Sequence, residues 1–444
     1  MEEFQKNRDD LTKEGLLYDF NAPFFENFNT LLKTIDLPNL VQSGMNENCA
    51  YVDNTNGTKN GYLSYIVVVD CENAIYSCSV KDNSKNVFNS VMVWDNNENI
   101  YMGCGILKSF NVFYSRYITD SSNIRLCTNM IGCHDCIFCN WLENKSYCIE
   151  NQQYTKAIYL QKKEDILKNK NLFEQVYKSK IPTPQNYAST NVSNGVFVIK
   201  SQDIERGSYV YQTKGGRNII MAGGKEWDEE VYNCLSIWSP SAHDFYNCID
   251  TGTYSHTCYN TAMIVTSSNI YYSYFMESCS FCLGCIGLKN KTFCIFNKEY
   301  SKEERFDLAN KIFASMEKDG TLGDFFPGGM TPFYFNDTIA YALDDSFTRE
   351  EVAKDGYLRR DAAIATDIPA GSDVIKVKDL KNYQWFDAEG KWMISPDILK
   401  KVIEDPQWNH YRIVKMEYDF LVKYCLPLPE LHRLERIKLG FKFK

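Results

Sequence analysis

The first pattern with chemical potential is a run of cysteines in which each lies three residues from the next. Cys133, Cys136 and Cys139 form this run, His134 lies within it, and Cys148 follows nine residues later. Four thiolates that converge tetrahedrally bind zinc or an iron–sulfur cluster, usually from two separate loops. One hypothesis is therefore a metal site formed by Cys133, Cys136, Cys139 and Cys148.

The same pattern returns 146 residues further along the chain. The second run and the cysteine that follows it are Cys279, Cys282, Cys285 and Cys294. The flanking residues match as well, because 144–149 recur at 290–295 with two conservative changes. An internal match of this length indicates a duplication, and it supplies a second candidate set of metal ligands.

The three-residue spacing continues beyond the cysteines, through residues that do not bind metals. Along a flat strand, residues three apart face opposite sides, so they share a side only where the chain turns a corner between them. A period that runs through non-ligands is typical of packing, and we therefore predict a structural ladder that faces inward. Disulfide bonds between cysteines six apart, such as Cys127 and Cys133, are a further alternative. The predicted ladder comprises Cys127, Met130, Cys133, Cys136, Cys139, Cys258, Ile264, Ile270, Met276, Cys279, Cys282 and Cys285.

A longer period in the sequence defines a coil. Asn73, Asn86, Asn99 and Asn111 each precede an apolar or aromatic pair, at 12- or 13-residue intervals. Asn tolerates the left-handed backbone conformation, so this column is predicted to lie at corners, with the Tyr and Phe columns outside or stacked on helices. Periods this short, with β-branched and aromatic residues between the corners, indicate a β-solenoid.

The spacing resembles the narrow β-helices of insect antifreeze proteins, in which small inward side chains fill a thin bore. An ice-binding role is not predicted, because Thr251, Thr253, Thr257 and Thr261 keep no 12-residue period. The predicted fold class is mainly β. It is a duplicated, narrow, right-handed β-solenoid of about 12 residues per coil, with helical caps and a small C-terminal α+β module.

Changes of composition along the chain predict its domains. Charged stretches with helical spacing follow each cysteine cluster, and the basic tail after Leu431 is expected to contact solvent or a partner. The predicted segments are an N-terminal aromatic cap (1–42), solenoid copy 1 (43–156), a helical spacer (157–195), solenoid copy 2 (196–300), a helical cap (301–340) and a C-terminal α+β module (341–444).

Charge and hydropathy restrict the class of protein. The net charge of −9 argues against a nucleic-acid or anionic-membrane partner. The chain has no run of 18 apolar residues and no apolar signal core near Met1, so neither a membrane span nor export is expected. The 17 cysteines are an odd number, and in a chain that is not exported they favour free thiols.

No catalytic or cofactor-binding residue is predicted. The five His residues lie in no recognisable nucleophile motif, and His134 is expected to point outward at a corner. Larger β-helices include lyases and hydrolases of carbohydrates, which use clustered acidic and basic residues. The candidates for such a cluster are Arg116, Asp120, Asp244 and Asp250, which are scattered along the chain.

The whole chain resembles a family of uncharacterised Cys-rich repeat proteins from metagenomic candidate-phylum bacteria and related viruses. The resemblance is carried by residues 18–28, 287–304 and 411–436. In that family the last block is similar to a zinc ribbon flanked by cysteine pairs. Here only Cys425 and His432 lie near it, so the module resembles a degenerate ribbon. The resemblance implies the architecture, and it implies no mechanism.

These patterns favour a non-catalytic structural or binding scaffold, located in the cytoplasm or in a virion, as part of a large assembly. A protein partner is expected, carbohydrate is the second candidate ligand, and no cofactor, nucleic acid or membrane is expected. Two alternatives stay open. One is a carbohydrate-active β-helix enzyme, and the other is a metal-binding or redox protein that uses the two cysteine sets.

Overall fold

The chain is mainly β and contains a β-solenoid of about 14 turns with roughly 12 residues per coil, as predicted. The structure is a computed structural model that describes residues 8–37, 40–178, 186–187, 198–199, 215–217, 254–331, 333–343, 345–361, 368–407 and 409–441. Cys234, Cys248, Asp244 and Asp250 lie outside the described residues, so their predicted roles stay predictions.

Eight α-helices occur in the described part of the chain, together with five short 3₁₀ helices. The α-helices are α1 (Phe24–Leu32), α2 (Lys156–Lys168), α3 (Leu172–Lys178), α4 (Lys302–Lys318), α5 (Ile339–Leu343), α6 (Arg349–Lys354), α7 (Lys415–Tyr424) and α8 (Arg433–Phe441). The 3₁₀ helices are Arg8–Glu14, Gly328–Met330, Phe335–Asp337, Val377–Tyr383 and Pro396–Lys400.

The chain divides into two compact units, and each contains one copy of the solenoid. The copy-1 unit comprises Leu40–Pro182, Tyr334–Thr348 and Arg359–Lys444. The copy-2 unit comprises Met1–Asn39, Thr183–Phe333 and Arg349–Leu358. The units do not follow chain order, because Arg349–Leu358 groups with copy 2 while the segments on both sides of it group with copy 1.

Copy 1 consists of short strands that pair in parallel with strands one coil before and one coil after them, except at its ends, where the last strand, Gln152–Gln153, pairs antiparallel with Ser146–Ile149. Lys85 pairs with Glu98 across a 13-residue coil, whereas Phe110 pairs with Ser122 across a 12-residue coil. The strands are Gln42–Ser43, Ala50–Asn56, Tyr62–Val68, Glu72–Ile75, Cys78–Lys81, Lys85–Phe88, Val91–Trp94, Glu98–Tyr101, Cys104–Leu107, Phe110–Phe113, Arg116–Thr119, Ser122–Arg125, Thr128–Ile131, His134–Ile137, Asn140–Glu143, Ser146–Ile149 and Gln152–Gln153.

Each coil turns at four corners, and the corner residues lie in the left-handed region of backbone space. In one coil their φ angles are 55° at Asn123, 56° at Leu126, 53° at Asn129 and 62° at Gly132. The residue after each corner points inward, which explains the three-residue ladder. A left-handed conformation costs a residue such as Leu roughly 1–2 kcal/mol, so continuous pairing between coils must offset it.

The 13-residue coils carry their extra residue at one of these corners. There the chain has two consecutive left-handed residues instead of one, as in Asp82 and Asn83, with φ angles of 56° and 55°. The 12-residue coils have a single left-handed residue at this corner, such as Lys108 or Asp120. The inward ladder therefore keeps its alignment although the coil length changes.

Copy 2 has the same construction where the structure describes it. His256 pairs with Ser268 and Ile270 with Cys282, each across a 12-residue coil. Its strands are His256–Tyr259, Ala262–Val265, Ser268–Tyr271, Tyr274–Glu277, Ser280–Leu283, Cys294–Ile295 and Lys298–Glu299. Another described pair, Asn186–Tyr187 with Val198–Ile199, is also parallel and has the same 12-residue interval.

In the copy-2 unit, aromatic residues from the N-terminal segment cover the solenoid. Phe24 and Phe28 of α1 are fully buried against Tyr272 and Phe296, in a cluster that also contains Ile312 of α4. The backbone N–H of Leu16 donates to the carbonyl of Phe296 (2.9 Å) at the last coil. The described part of the N-terminal segment, predicted as an aromatic cap at 1–42, thus contacts both the last coil and the aromatic face of copy 2.

In the copy-1 unit, the C-terminal module covers the equivalent aromatic face. Phe88, Tyr101 and Phe113 of successive coils pack against Phe420 of α7, at centroid distances of 4.6, 6.0 and 6.0 Å. The strands of the module are Val374–Lys376, Gln384–Phe386, Trp392–Ile394, Val402–Glu404 and His410–Tyr411. Together with α7 and α8, these strands make the module α+β, as predicted.

The prediction of a solvated tail after Leu431 was wrong for the described residues, which end at Phe441. Residues Arg433–Phe441 form α8, and Arg436 is only 1% exposed. The carbonyls of Leu439 and Gly440 accept hydrogen bonds from Arg116 Nη2 (3.0 Å) and from the Cys104 thiol (3.0 Å). Arg116 and Cys104 of the solenoid thus dock the last helix, which the composition had assigned to solvent.

Candidate functional site

The predicted ladder residues all lie inside the solenoid, and every one of them is at most 2% exposed. In copy 1 these residues are Cys127, Met130, Cys133, Cys136 and Cys139. In copy 2 they are Cys258, Ile264, Ile270, Met276, Cys279, Cys282 and Cys285. Cys148 and Cys294, which complete the two candidate metal sets, are buried as well. The interior is therefore a packed core of small and apolar side chains, with thiols as part of it.

Two of the four inward columns form hydrogen bonds between coils. Ser115 Oγ donates to the carbonyl of Phe113 (2.9 Å) and accepts from the backbone N–H of Cys127 (3.1 Å). One coil later the thiol takes over, because the N–H of Cys139 lies 3.3 Å from Cys127 Sγ. These side chains satisfy backbone groups that would otherwise be buried without a partner. Cysteine here replaces serine as an acceptor.

The other two inward columns are apolar. Val112, Ile124, Cys136 and Cys148 follow one another at 12-residue steps in one of them. The pairing of their strands already satisfies the backbone N–H groups, so no side-chain acceptor is needed at these positions, although the thiols of Cys136 and Cys148 donate to the carbonyls of His134 and Ser146. Cysteine is used here as a small hydrophobic residue. The same residue type thus has two different structural roles within one ladder.

The thiols are free, and their pKa values are shifted in both directions. All 15 described cysteines are unbridged, and burial raises the pKa of Cys71 and of Cys258 to about 12. Hydrogen bonds from neighbouring thiols instead lower the pKa of Cys133 and of Cys139. A metal ligand or a nucleophile must be a thiolate. In the described ranges, no three His, Cys, Asp or Glu side chains are arranged to hold a metal ion. The two predicted cysteine sets are therefore brought together as a thiol interior, without the geometry of a metal centre.

An asparagine ladder runs along one outer corner of copy 1. Each side-chain amide donates to the side-chain oxygen of the next coil, at 2.7 to 3.2 Å. The members are Asn48, Asn60, Asn73, Asn86, Asn99, Asn111, Asn123 and Asp135, and all have a positive φ angle. The prediction that the Asn column lies at corners is confirmed, and the hydrogen bonds between its members add cohesion along the rod.

A second outer column beside this ladder alternates in charge. It contains Glu47, Lys59, Glu72, Lys85 and Glu98, one residue before each of the first five asparagines. Lys59 Nζ lies 3.4 Å from Glu47, and Lys85 Nζ lies 3.9 Å from Glu72. The side chains of these pairs are between 38% and 70% exposed, so they contribute little to stability. We call this column and the asparagine ladder together the polar edge.

Both copies end with the same device. Asn151 Oδ1 accepts from the N–H of Asn140 and its Nδ2 donates to the carbonyl of Asn140, each at 2.8 Å. Asn297 makes the same two bonds with Ile286, also at 2.8 Å. The side-chain amide thus imitates the peptide group of a further coil. It terminates the sheet where an unpaired edge would otherwise be exposed.

Of the residues considered for catalysis, those that the structure describes are not brought together. His134 is exposed, as expected, and its Nδ1 lies 2.7 Å from Ser122 Oγ of the preceding coil. Arg116 is buried against the end of α8, whereas Asp120 is an exposed corner residue. Arg116 and Asp120, the two described members of the candidate acidic and basic cluster, therefore lie in different environments.

A buried ion-pair cluster, which the sequence did not suggest, lies under the C-terminal module. Arg436 Nη1 donates to Glu417 Oε1 (2.7 Å), which also accepts from Asn89 Nδ2 (2.6 Å) and Tyr101 Oη (2.9 Å). Burial and then the charge of Glu417 raise the pKa of Tyr101 well above its usual value. Burial, helped by Arg433 and Arg436, lowers the pKa of His432 to about 4.

A second group of charges lies on the same solenoid face, and we call it the cation cluster: Arg125, Lys163 and Lys170. Burial, followed by the charge of Arg125, lowers the pKa of Lys170 to about 8 and lowers that of Lys163 as well. Burial also lowers the pKa of Arg125 to about 10. One feature of the sequence could have pointed to this cluster. Arg125 is a charged residue in an outward column that otherwise contains apolar residues such as Phe113 and Ile137.

The candidate functional surfaces are chosen from the structure alone, because comparisons with known proteins found no match. No family model, no curated protein and no solved structure matches the chain. Among the described residues, no helix has the length and apolar character needed to cross a bilayer. The candidate functional surfaces are therefore the polar edge and the cation cluster, both in the copy-1 unit.

Proposed function

We propose that the chain is a non-catalytic scaffold that binds a protein partner through the polar edge of copy 1. The observation that carries this proposal is the continuous asparagine ladder from Asn48 to Asp135 beside a column of alternating charge. Successive coils place equivalent groups about 4.8 Å apart. A partner with a complementary period would form the same contact at every coil.

The signs of the charges favour a protein as the partner. Nucleic acids and acidic polysaccharides require a surface of one positive sign. The column from Glu47 to Glu98 instead alternates and carries three acidic and two basic residues. A neutral carbohydrate is usually held by several aromatic side chains. This column contributes one, Phe110, which follows Glu98 in the column and is exposed. Alternating charges suit a protein surface, where they set the register.

The remaining surfaces support a structural role. The aromatic face of copy 1 is covered by its own C-terminal module, and its interior is filled. The ladder hydrogen bonds and inward columns fix the spacing of the polar edge, so little ordering is needed on binding. A virion or another large assembly is the setting in which such a rigid, repetitive surface is most useful.

The test is a charge reversal on the polar edge. Lys59→Glu together with Lys85→Glu makes the column uniformly acidic, and both side chains are about half exposed. The natural source would be fractionated on a density gradient, with the chain expressed as wild type or variant. We expect the wild-type chain in a large particle and the double variant mostly free. A uniformly acidic column can no longer make the alternating contacts that set the register with the partner.

Lys162→Glu with Lys168→Glu is the matched control, since it makes the same charge change on exposed positions of α2. This control is expected to stay in the particle. Two results would overturn the proposal: a wild-type chain that sediments alone, or equal release of both double variants. Depolymerisation of a polysaccharide by the purified chain would favour the carbohydrate-active alternative instead.

A further inference from the structure

The cation cluster lies in an aromatic setting in the copy-1 unit. Arg125 Cζ is 4.6 Å from the ring centroid of Phe113. Lys170 Nζ is 4.9 Å from the ring of Trp392 and 5.7 Å from those of Phe173 and Phe386. Such contacts stabilise a cation, but they leave its charge uncompensated.

The two main cations are joined by the end of α7. Phe113, whose ring contacts the guanidinium of Arg125, packs against Tyr424 at a centroid distance of 5.0 Å. The next residue, Cys425, caps the helix in a left-handed conformation and accepts a hydrogen bond from Lys170 Nζ (2.6 Å) through its carbonyl. Arg125 and Lys170 therefore flank the same helix end, although they are distant from each other in sequence.

The negative charge needed to balance this cluster is missing from the described residues. No carboxylate in the described ranges forms an ion pair with Arg125, Lys163 or Lys170. Asp135 acts on Lys163, where it opposes the effect of Arg125, but its Oδ1 already accepts from the amide of Asn123. Three partly buried cations that form no ion pair with a described carboxylate are unfavourable unless an anion joins them.

We propose that the cation cluster binds the oxyanion group of a small organic molecule, a carboxylate or a phosphate, between Arg125 and Lys170. The guanidinium offers paired donors that match either group, and the ammonium adds a second charge. The rings of Phe173, Phe386 and Trp392 form an apolar wall for the remainder of the ligand. This site does not depend on the polar edge, so either proposal can fail without the other.

Binding of the anion is coupled to protonation of Lys170. Without a bound anion, the pKa of Lys170 in the folded chain is lowered to about 8, and a bound anion favours the charged form of the side chain. The affinity is therefore greatest below pH 8 and falls as the pH rises above it. The other groups that act on these cations are the phenols of Tyr159 and Tyr424 and the thiol of Cys425.

Isothermal titration of the full chain with benzoate, acetate and inorganic phosphate, at constant ionic strength with chloride, tests the site. We expect saturable binding of at least one oxyanion at pH 7, weaker at pH 9. A preference for benzoate over acetate identifies the aromatic wall, and a preference for phosphate identifies a phosphate ligand. Arg125→Gln and Lys170→Gln should each weaken binding by about tenfold or more.

Lys168→Gln is the control, because Lys168 is an exposed neighbour that pairs with Asp165 and should leave binding unchanged. Circular dichroism establishes whether each variant is folded. Protection of Lys170 from acylation by the bound anion gives a second measurement that needs no variant. Wild-type protein that binds none of the three probes, or identical binding by the wild type and both Gln variants, would overturn the proposal.

Discussion

Arg436 and Glu417 form an ion pair of 2.7 Å in which both side chains are at most 1% exposed. The pair joins α8 to α7, and through Asn89 and Tyr101 it joins both helices to the solenoid. A buried charge whose partner is removed is far more costly than the intact pair is favourable. The attachment of the C-terminal module therefore depends on this contact.

The first prediction concerns this pair. Arg436→Met should lower the free energy of unfolding by about 3–5 kcal/mol, because it leaves Glu417 buried without its counter-ion. The double variant Arg436→Met, Glu417→Gln should recover part of the loss, since the neutral amide still accepts from Asn89 and Tyr101. Urea denaturation of the wild type and both variants measures this. A double variant that is less stable than Arg436→Met would contradict the account.

The second prediction separates the two kinds of inward column. Cys127→Ser should change stability by less than about 0.5 kcal/mol, because the hydroxyl keeps the acceptor used by the N–H of Cys139. Cys127→Val removes that acceptor and should cost about 1–3 kcal/mol.

The reverse order is expected at Cys136, in the apolar column. There Cys136→Val should be tolerated, since Val112 fills the equivalent position two coils earlier, whereas Cys136→Ser should cost about 1 kcal/mol. Thermal unfolding of the four variants shows whether the order of the serine and valine variants is reversed between the two positions. If serine and valine rank alike at both positions, the division of the ladder into two kinds of column is wrong.

The third prediction concerns the asparagine ladder. Asn111 donates to Asn123 (2.9 Å), accepts from Asn99 (3.1 Å) and has a φ angle of 56°. Asn111→Ala should cost about 1–3 kcal/mol, because it removes both bonds and leaves a left-handed residue with a Cβ. Asn111→Gly also removes both bonds, but glycine adopts the left-handed conformation without strain. Its cost should therefore be smaller than that of Asn111→Ala by about 1 kcal/mol. Equal loss in both variants would show that the corner conformation contributes nothing.

The fourth prediction is that Lys170 is the most reactive amine in the described part of the chain. Its pKa of about 8 leaves about half of the amine neutral at pH 8, whereas an ordinary lysine is almost fully charged there. Mass spectrometry after brief acylation should show Lys170 modified before Lys162, with a rate that reaches half its maximum near pH 8. Arg125→Gln should move that midpoint to higher pH, because a repelling cation is removed.

The same shift has a consequence for stability. The pKa of Lys170 is lower in the folded chain than in the unfolded chain, so between about pH 8 and pH 10.5 the unfolded state binds more protons. The contribution of this residue to the unfolding free energy therefore rises with pH across that window. Lys170→Met should flatten this dependence. A steeper dependence in the variant would contradict the assignment.

The interior was predictable from the sequence because one coil repeats its neighbour. Cys127, Met130 and Cys133 follow a fixed spacing, and a spacing of three in β structure permits few geometries. The role of each thiol was less accessible. Whether a thiol is needed as an acceptor for the next coil, as at Cys127, or packs in an apolar column, as at Cys136, depends on which corner precedes it. The change of coil length within copy 1 obscures that alignment.

The charged clusters could not be predicted because their members are distant in sequence. Arg436 reads as part of a basic tail until Glu417 is placed beside it, since a buried guanidinium requires a carboxylate from elsewhere. Lys170 lies in a charged helical stretch and gives no signal until Trp392 and Cys425 surround it. Arg125 was the exception, since it is a charged residue in an otherwise apolar column.

The corner that holds Asp82 and Asn83 gives the gene a place where length can change. Because this corner accepts one or two left-handed residues, the gain or loss of a single codon there leaves every inward side chain in its column. The same change at any of the other three corners would exchange inward and outward residues in all later coils. Single-codon insertions and deletions in copy 1 should therefore be tolerated at this corner and rejected elsewhere.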